Sequence, residues 1–118
     1  MDYLITGGAG FIGSRICNKL ESLGKDYCSV DDLSKGTEEN LINNSKFLKF
    51  DCSSIEFESW LKNKKPKYIF HLCGQSSGER SNKNPSDDFI RNVLTTSRII
   101  SACMNNKRLK TISYASSM

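Results

Sequence analysis

Apolar residues along the chain fall into short runs and into stretches of helical spacing, and the two patterns alternate. Tyr3-Leu4-Ile5 is a short apolar run that ends in Thr6-Gly7-Gly8-Ala9-Gly10, which predicts a buried strand leading straight into a tight turn. Phe11, Ile12, Ile16, Leu20 and Leu23 then recur at helical spacing, and Gly24 stands where a helix commonly ends in a left-handed cap. Residues 27–30 give a second strand closed by Asp31-Asp32; residues 33–45 are polar and aperiodic, a loop with room for one helical turn. Residues 47–50 predict a third strand ending at Asp51, and Ile55, Phe57, Trp60 and Leu61 predict a short helix over about 53–63. After Pro66, residues 68–72 form a fourth strand that breaks at Gly74 into a polar loop through residue 84. Asn84-Pro85-Ser86-Asp87-Asp88 combines a capping residue, a proline at the first helical position and acids in the first turn, so a long helix is expected from there to about Asn106. Residues 109–114 make a fifth strand.

Strands alternating with helices predict an α/β fold: a Rossmann-type, doubly wound parallel sheet of about five strands, with right-handed crossovers and helices on both faces. The 118 residues suit a single domain, and the 37% hydrophobic and 25% charged composition is that of a globular chain. The net charge of +4 arises from 17 basic residues spread over the chain, with only a loose run at Lys62, Lys64, Lys65 and Lys67, so no nucleic-acid partner is expected. Five cysteines are too widely spaced for a C-x-x-C metal or redox pair; reduced, mostly buried thiols and no metal are expected. No basic-then-apolar leader precedes the first strand, and no apolar run approaches the roughly 18 residues of a membrane span, which predicts a cytoplasmic location.

Gly8-x-Gly10-x-x-Gly13 lies between the first strand and the first helix, the context that turns a weak pattern into a dinucleotide fingerprint. The first glycines allow the backbone to approach a pyrophosphate, Gly13 allows close helix packing, and the free amides near Phe11 and Ile12 face the phosphates at the positive end of the helix dipole. Asp31 falls 18 residues after Gly13, at the end of the second strand, where a carboxylate accepts from ribose hydroxyls and repels a 2′-phosphate, so NAD is expected over NADP, with Lys35 near enough to soften the preference. Two other kinds of glycine loop compete with this reading. An NTPase loop fails because Ser14 and Arg15 stand where lysine and Ser/Thr should be. A methyltransferase also uses a glycine turn and an acid after the second strand, and the third glycine argues against it.

Thr6-Gly7-Gly8-Ala9-Gly10-Phe11-Ile12-Gly13 resembles the T-G-x-x-G-x-x-G motif of the extended short-chain dehydrogenase/reductases, specifically the NAD-dependent epimerase/dehydratase family. Val30-Asp31-Asp32-Leu33-Ser34 is similar to that family's segment after the second strand, and Asp51, with Cys52 beside it, to its adenine-contacting position. His71-Leu72-Cys73-Gly74 resembles the H-x-A-A/G turn after the fourth strand, with Cys73 in place of the usual alanine, and Asn92 matches the family's helix asparagine. Tyr114-Ala115-Ser116-Ser117 resembles the fifth-strand end, where Ser117 takes the role of the hydroxyl that bonds the reacting sugar.

The resemblance implies a single NAD-binding domain over residues 1–118. It implies cofactor contacts at Gly7, Gly10, Phe11, Ile12, Gly13, Asp31, Asp32, Asp51, Cys52, Leu72, Cys73, Gly74 and Asn92, and a nucleotide sugar as the substrate of the intact parent. Family members continue into a Tyr-x-x-x-Lys pair, further strands and a substrate domain. None of the four tyrosines here is followed four residues on by lysine, so a truncated domain, inactive alone, is expected. A non-catalytic NAD-binding or partner-docking protein is the alternative. An open sheet edge, with self-association or homodimerisation through it, follows from the same reading.

Overall fold

A computed structural model describes residues 1–73 and 85–115. The polar loop at 74–84 and residues 116–118, with Gly74 and Ser117 among them, lie outside the described residues. Strands β1 (Tyr3–Thr6), β2 (Tyr27–Asp31), β3 (Phe47–Lys49), β4 (Tyr68–His71) and β5 (Thr111–Tyr114) form one sheet in the order β3-β2-β1-β4-β5. Every pairing is parallel, with Tyr3 opposite both Tyr27 and Tyr68. The order reverses beside β1, the switch point where open α/β sheets bind ligands beyond the carboxyl ends of their strands.

Alternate residues of the inner strands feed two separate cores. Leu4, Val30 and Ile69 point to one face, where they meet Phe57 and Leu61 of α2 (Ile55–Lys64) and Ile99, Ala102 and Cys103 of the last helix. Ile5 and Tyr27 point to the other, against Cys17 and Leu20 of α1 (Phe11–Ser22). Full burial of a residue such as Phe57 or Leu61 contributes about 1.5–3 kcal/mol.

Local chemistry fixes the element ends. Gly24, at φ +67°, donates to the Glu21 carbonyl and Lys25 donates to the Leu20 carbonyl, so α1 stops in a Schellman motif. Ser54 caps α2 by accepting from the Phe57 amide at 3.1 Å, with Glu56 and Glu58 in its first turn and Lys62 and Lys64 in its last. The polar stretch after β2 makes two 3₁₀ turns, Glu38–Asn40 and Asn44–Lys46, where the pattern predicted a loop with one turn. The long helix after Pro85 is continuous to Cys103, but it consists of α3 (Pro85–Phe89), a π-helical turn (Ile90–Leu94) and α4 (Thr95–Cys103).

Candidate functional site

A cleft of about 860 Å³ opens at the carboxyl ends of β1, β2 and β4. Its floor is the turn from β1 into α1. Gly7 and Gly8 both donate to the Val30 carbonyl, at 2.9 and 3.1 Å, which pulls the turn down onto β2. A Cβ on Gly13 would sit 2.1 Å from the Gly7 carbonyl oxygen, so only glycine lets α1 approach the turn this closely. Helix α1 begins at Gly10 with no side-chain cap and no acid in its first turn. The amides of Phe11, Ile12 and Gly13 therefore face the cleft with the helix dipole behind them, a binding place for a phosphate group.

Asp31 closes β2 and is buried, yet it lines the cleft. Its two oxygens accept from the Ala9 amide at 3.0 Å and the Leu33 amide at 2.9 Å. One carboxylate thus ties the glycine turn to the segment after β2 and keeps lone pairs for a ligand hydroxyl. Leu33 takes a left-handed backbone at φ +63°, held between that bond and the one from Ser34 N–H to Asp32 Oδ1 at 2.9 Å.

The segment after β2 lies across the glycine turn as a strap. The Thr37 amide and the Asn40 side-chain amide both donate to the Ala9 carbonyl at 3.1 Å. Asn18 on α1 donates to the Asn40 carbonyl at 2.9 Å and accepts from the Ile42 amide at 3.0 Å. Gly36 crosses Ala9 so closely that a Cβ would lie 2.3 Å from its carbonyl oxygen. Arg15 and Lys35 bring two cations to the same rim.

Leu72, Cys73 and Ala115 close the far wall. Behind them His71 is buried, and its proton positions follow from its neighbours. Thr6 Oγ1 accepts from the amides of Leu72 and Cys73 at 3.1 and 3.4 Å, so its own proton goes to His71 Nδ1 at 2.8 Å. Thr96 Oγ1 donates to the Asn92 carbonyl at 2.9 Å and accepts from His71 Nε2–H at 2.9 Å. The imidazole is held as the Nε2–H tautomer, a strut between β1 and the last helix.

Of the residues singled out from sequence, Gly7, Gly10, Phe11, Ile12, Gly13, Asp31, Asp32, Leu72 and Cys73 come together around the cleft. Asp51, Cys52 and Asn92 do not line it. Asp51 Oδ1 accepts from the amide and hydroxyl of Ser53 in the turn before α2, Cys52 is buried in the core, and Asn92 sits in the π-helical turn. Gly74 and Ser117 lie outside the described residues. Asn18, Asn40 and Gly36 had no signal in the sequence, because residues on the outer face of a helix and in an aperiodic polar loop read as solvent-facing, while Ala115 lies in the segment noted for its serines. Among the described residues no acid, histidine and cysteine cluster could hold a metal, and no helix is long and apolar enough to cross a membrane.

The fold and cleft define a dinucleotide-binding α/β domain. Residues 3–118 match the NAD dependent epimerase/dehydratase family, and the chain belongs to that family. It is 40% identical over 107 residues to the UDP-glucose 4-epimerase of Mycolicibacterium smegmatis, a match covering 86% of this chain and 34% of the relative. The crystal structure of UDP-glucose 4-epimerase with UDP-glucose from Thermotoga maritima superposes with a TM-score of 0.88 at 33% identity, over 97% of this chain and 37% of that one. The Thermus thermophilus UDP-glucose 4-epimerase in complex with NAD superposes with a TM-score of 0.84 at 31% identity, over 95% and 36%. The chain spans about a third of the length of the relatives it matches.

Proposed function

We propose that the cleft binds NAD on behalf of an enzyme that epimerises or dehydrates a nucleotide sugar. The observation that carries this reading is the convergence, on one cleft, of the uncapped amides of α1 and the Asp31 carboxylate. A dinucleotide needs both at that separation: donors for its pyrophosphate and an acceptor for its ribose hydroxyls.

In this reading the amides of Phe11, Ile12 and Gly13 hold the pyrophosphate, and Asp31 accepts from the adenosine ribose. Asp31 disfavours a 2′-phosphate at the same place, while Arg15 and Lys35 at the rim reduce the margin between NAD and NADP. Leu72, Cys73 and Ala115 shape the end of the cleft nearest β4 and β5. NAD, when bound, supplies a reversible hydride acceptor.

The proton that accompanies hydride transfer needs a base with a tuned pKa, and none of the four tyrosines has a lysine four residues on. The 118 residues therefore bind the cofactor without turning over a nucleotide sugar. Ser117 is assigned to the reacting sugar hydroxyl by the resemblance of Tyr114-Ala115-Ser116-Ser117 to the family's segment. A non-catalytic NAD-binding or partner-docking role uses the same cleft and differs only in what the bound cofactor serves.

Calorimetric titration with NAD and with NADP tests the reading. NAD is expected to bind more tightly than NADP, and Asp31→Ala, checked for folding by circular dichroism, is expected to weaken NAD by about ten-fold or more, or 1.4 kcal/mol. Equal NAD affinity in the two proteins would remove Asp31 from the ribose, and no binding in the unmodified chain would sink the cofactor reading itself.

A further inference from the structure

His71, the single histidine in the chain, is buried behind the far wall of the cleft and does not line it. The Leu72–Cys73 peptide that follows packs directly on the glycine turn: a Cβ on Gly7 would lie 2.9 Å from the Cys73 nitrogen and from the Leu72 carbonyl carbon. Gly7, Leu72 and Cys73 all line the cleft, so the gap between these two turns is part of the shape that a ligand meets.

Thr6, the residue before Gly7, fixes that gap. Its hydroxyl oxygen accepts from the Leu72 amide at 3.1 Å and from the Cys73 amide at 3.4 Å, which it does only while its own proton points elsewhere. His71 Nδ1, 2.8 Å away, takes that proton. Cys73 Sγ also lies 3.6 Å from Nδ1, but a thiol is a weak donor beside a hydroxyl. The ring is held from its other side as well. Nε2–H donates to Thr96 Oγ1 at 2.9 Å, and Thr96 gives its own proton to the Asn92 carbonyl in the π-helical turn. Tyr114 on β5 packs beside the ring, with centroids 5.5 Å apart.

We propose that His71 is a positioning residue for the cofactor: by accepting the Thr6 proton it aims both lone pairs of that hydroxyl at the Leu72 and Cys73 amides, and so sets the gap between the glycine turn and the turn after β4. This rests on the cleft being the NAD site. A neutral imidazole suits the task because one rigid ring carries an acceptor for Thr6 and a donor for Thr96. Without the acceptor, the Thr6 proton turns away from Nδ1, one lone pair turns with it, and one of the two amides loses its partner.

Asparagine and glutamine separate the two ends of the ring. The asparagine amide reaches to about the place of Nδ1 and the glutamine amide to about the place of Nε2. His71→Asn therefore keeps an acceptor for Thr6 and gives up Thr96, while His71→Gln keeps a donor for Thr96 and gives up Thr6. A histidine that only braced β4 against the last helix would make the two variants lose cofactor affinity in parallel.

The test is calorimetric titration of NAD into the unmodified full chain, His71→Asn and His71→Gln, with urea unfolding of each ligand-free protein and ring-nitrogen NMR spectra of the unmodified chain. With a single histidine the ring signals need no assignment. At neutral pH the ring is expected to carry its proton on Nε2 and not on Nδ1, and its signals to move when NAD is added. His71→Gln is expected to weaken NAD by about ten-fold and His71→Asn by less than about three-fold, whichever of the two is the less stable in urea. A loss in His71→Asn as large as in His71→Gln, no loss in either, a proton on Nδ1 of the unmodified chain, or ring signals unmoved at saturating NAD would overturn the proposal and leave the cofactor site standing. No NAD binding by the unmodified chain would overturn both. The tautomer and the response to NAD are read on the unmodified chain, so they decide even where both variants fail to fold.

Discussion

Asp31 holds the backbone on both sides of the cleft. It is the expected ribose acceptor, and it also holds the Ala9 and Leu33 amides, so its loss leaves two backbone donors unsatisfied. Buried thiols set a second residue-scale behaviour. Cys17 is fully buried under α1, and burial pushes its pKa from 9.0 up to about 11; Cys28 is raised to about 11 by the same cause. A neutral thiol is favoured in the fold, while the unfolded chain ionises from its ordinary pKa. The stability these groups contribute is complete below pH 9.0 and is lost as pH rises toward about 11. Urea unfolding is expected to show a loss of roughly 2 kcal/mol over that window. Cys17→Ala should flatten the slope; an unchanged slope would remove Cys17 as its source.

At the scale of elements, the last helix is fastened to α2 by polar groups as well as by Phe57, Leu61 and Ile99. Arg98 donates from Nε to the Ser53 carbonyl at 3.0 Å and from Nη1 to Glu58 Oε1 at 3.3 Å, with both side chains largely covered. Ser101 adds a bond to Glu58 Oε2 at 3.4 Å. The Ser53 carbonyl lies in the turn that carries Asp51 and Cys52, so Arg98 fixes that turn from across the face. Arg98→Met keeps the aliphatic stem and is expected to cost about 1–2 kcal/mol in thermal or urea unfolding, and Arg98→Lys to recover only part of it because lysine lacks the planar fork. A full recovery by lysine would show that charge alone does the fastening. The π-helical turn precedes α4, and it places Asn92 so that its carbonyl accepts from Thr96, which in turn orients His71.

At the scale of the whole molecule, β5 is an edge strand among the described residues, and all four of its residues are exposed. Ile112 and Tyr114 on that edge, with Phe89, Ile90, Val93, Ile100 and Met104 along the last helix, present apolar surface to solvent. Unpaired strand edges beside apolar surface favour association. Sedimentation velocity is expected to show concentration-dependent association of the 118-residue chain at roughly tens of micromolar. An ideal monomer across that range would count against the exposed edge and helix face as sticky surfaces.

The sequence by itself determined the order and type of the elements, because the period of apolar residues changes between strand and helix and glycine, proline and capping residues mark most of the boundaries. It also determined which residues gather on the floor of the cleft. Gly10, Gly13 and Asp31 are local requirements of one β-turn-α unit and the strand after it, so their spacing along the chain fixes their spacing in space. Tertiary structure alone decided the rest. The strap of Gly36 and Asn40 over Ala9, the His71 strut between Thr6 and Thr96 and the Arg98 clasp join residues from elements far apart in the chain. Parallel strands place the turns after β1, β2, β3 and β4 at one end of the sheet, and strand order sets which of them touch. Neither is written in any local pattern, and so Cys52, which the resemblance set among the cofactor contacts, is buried in the core.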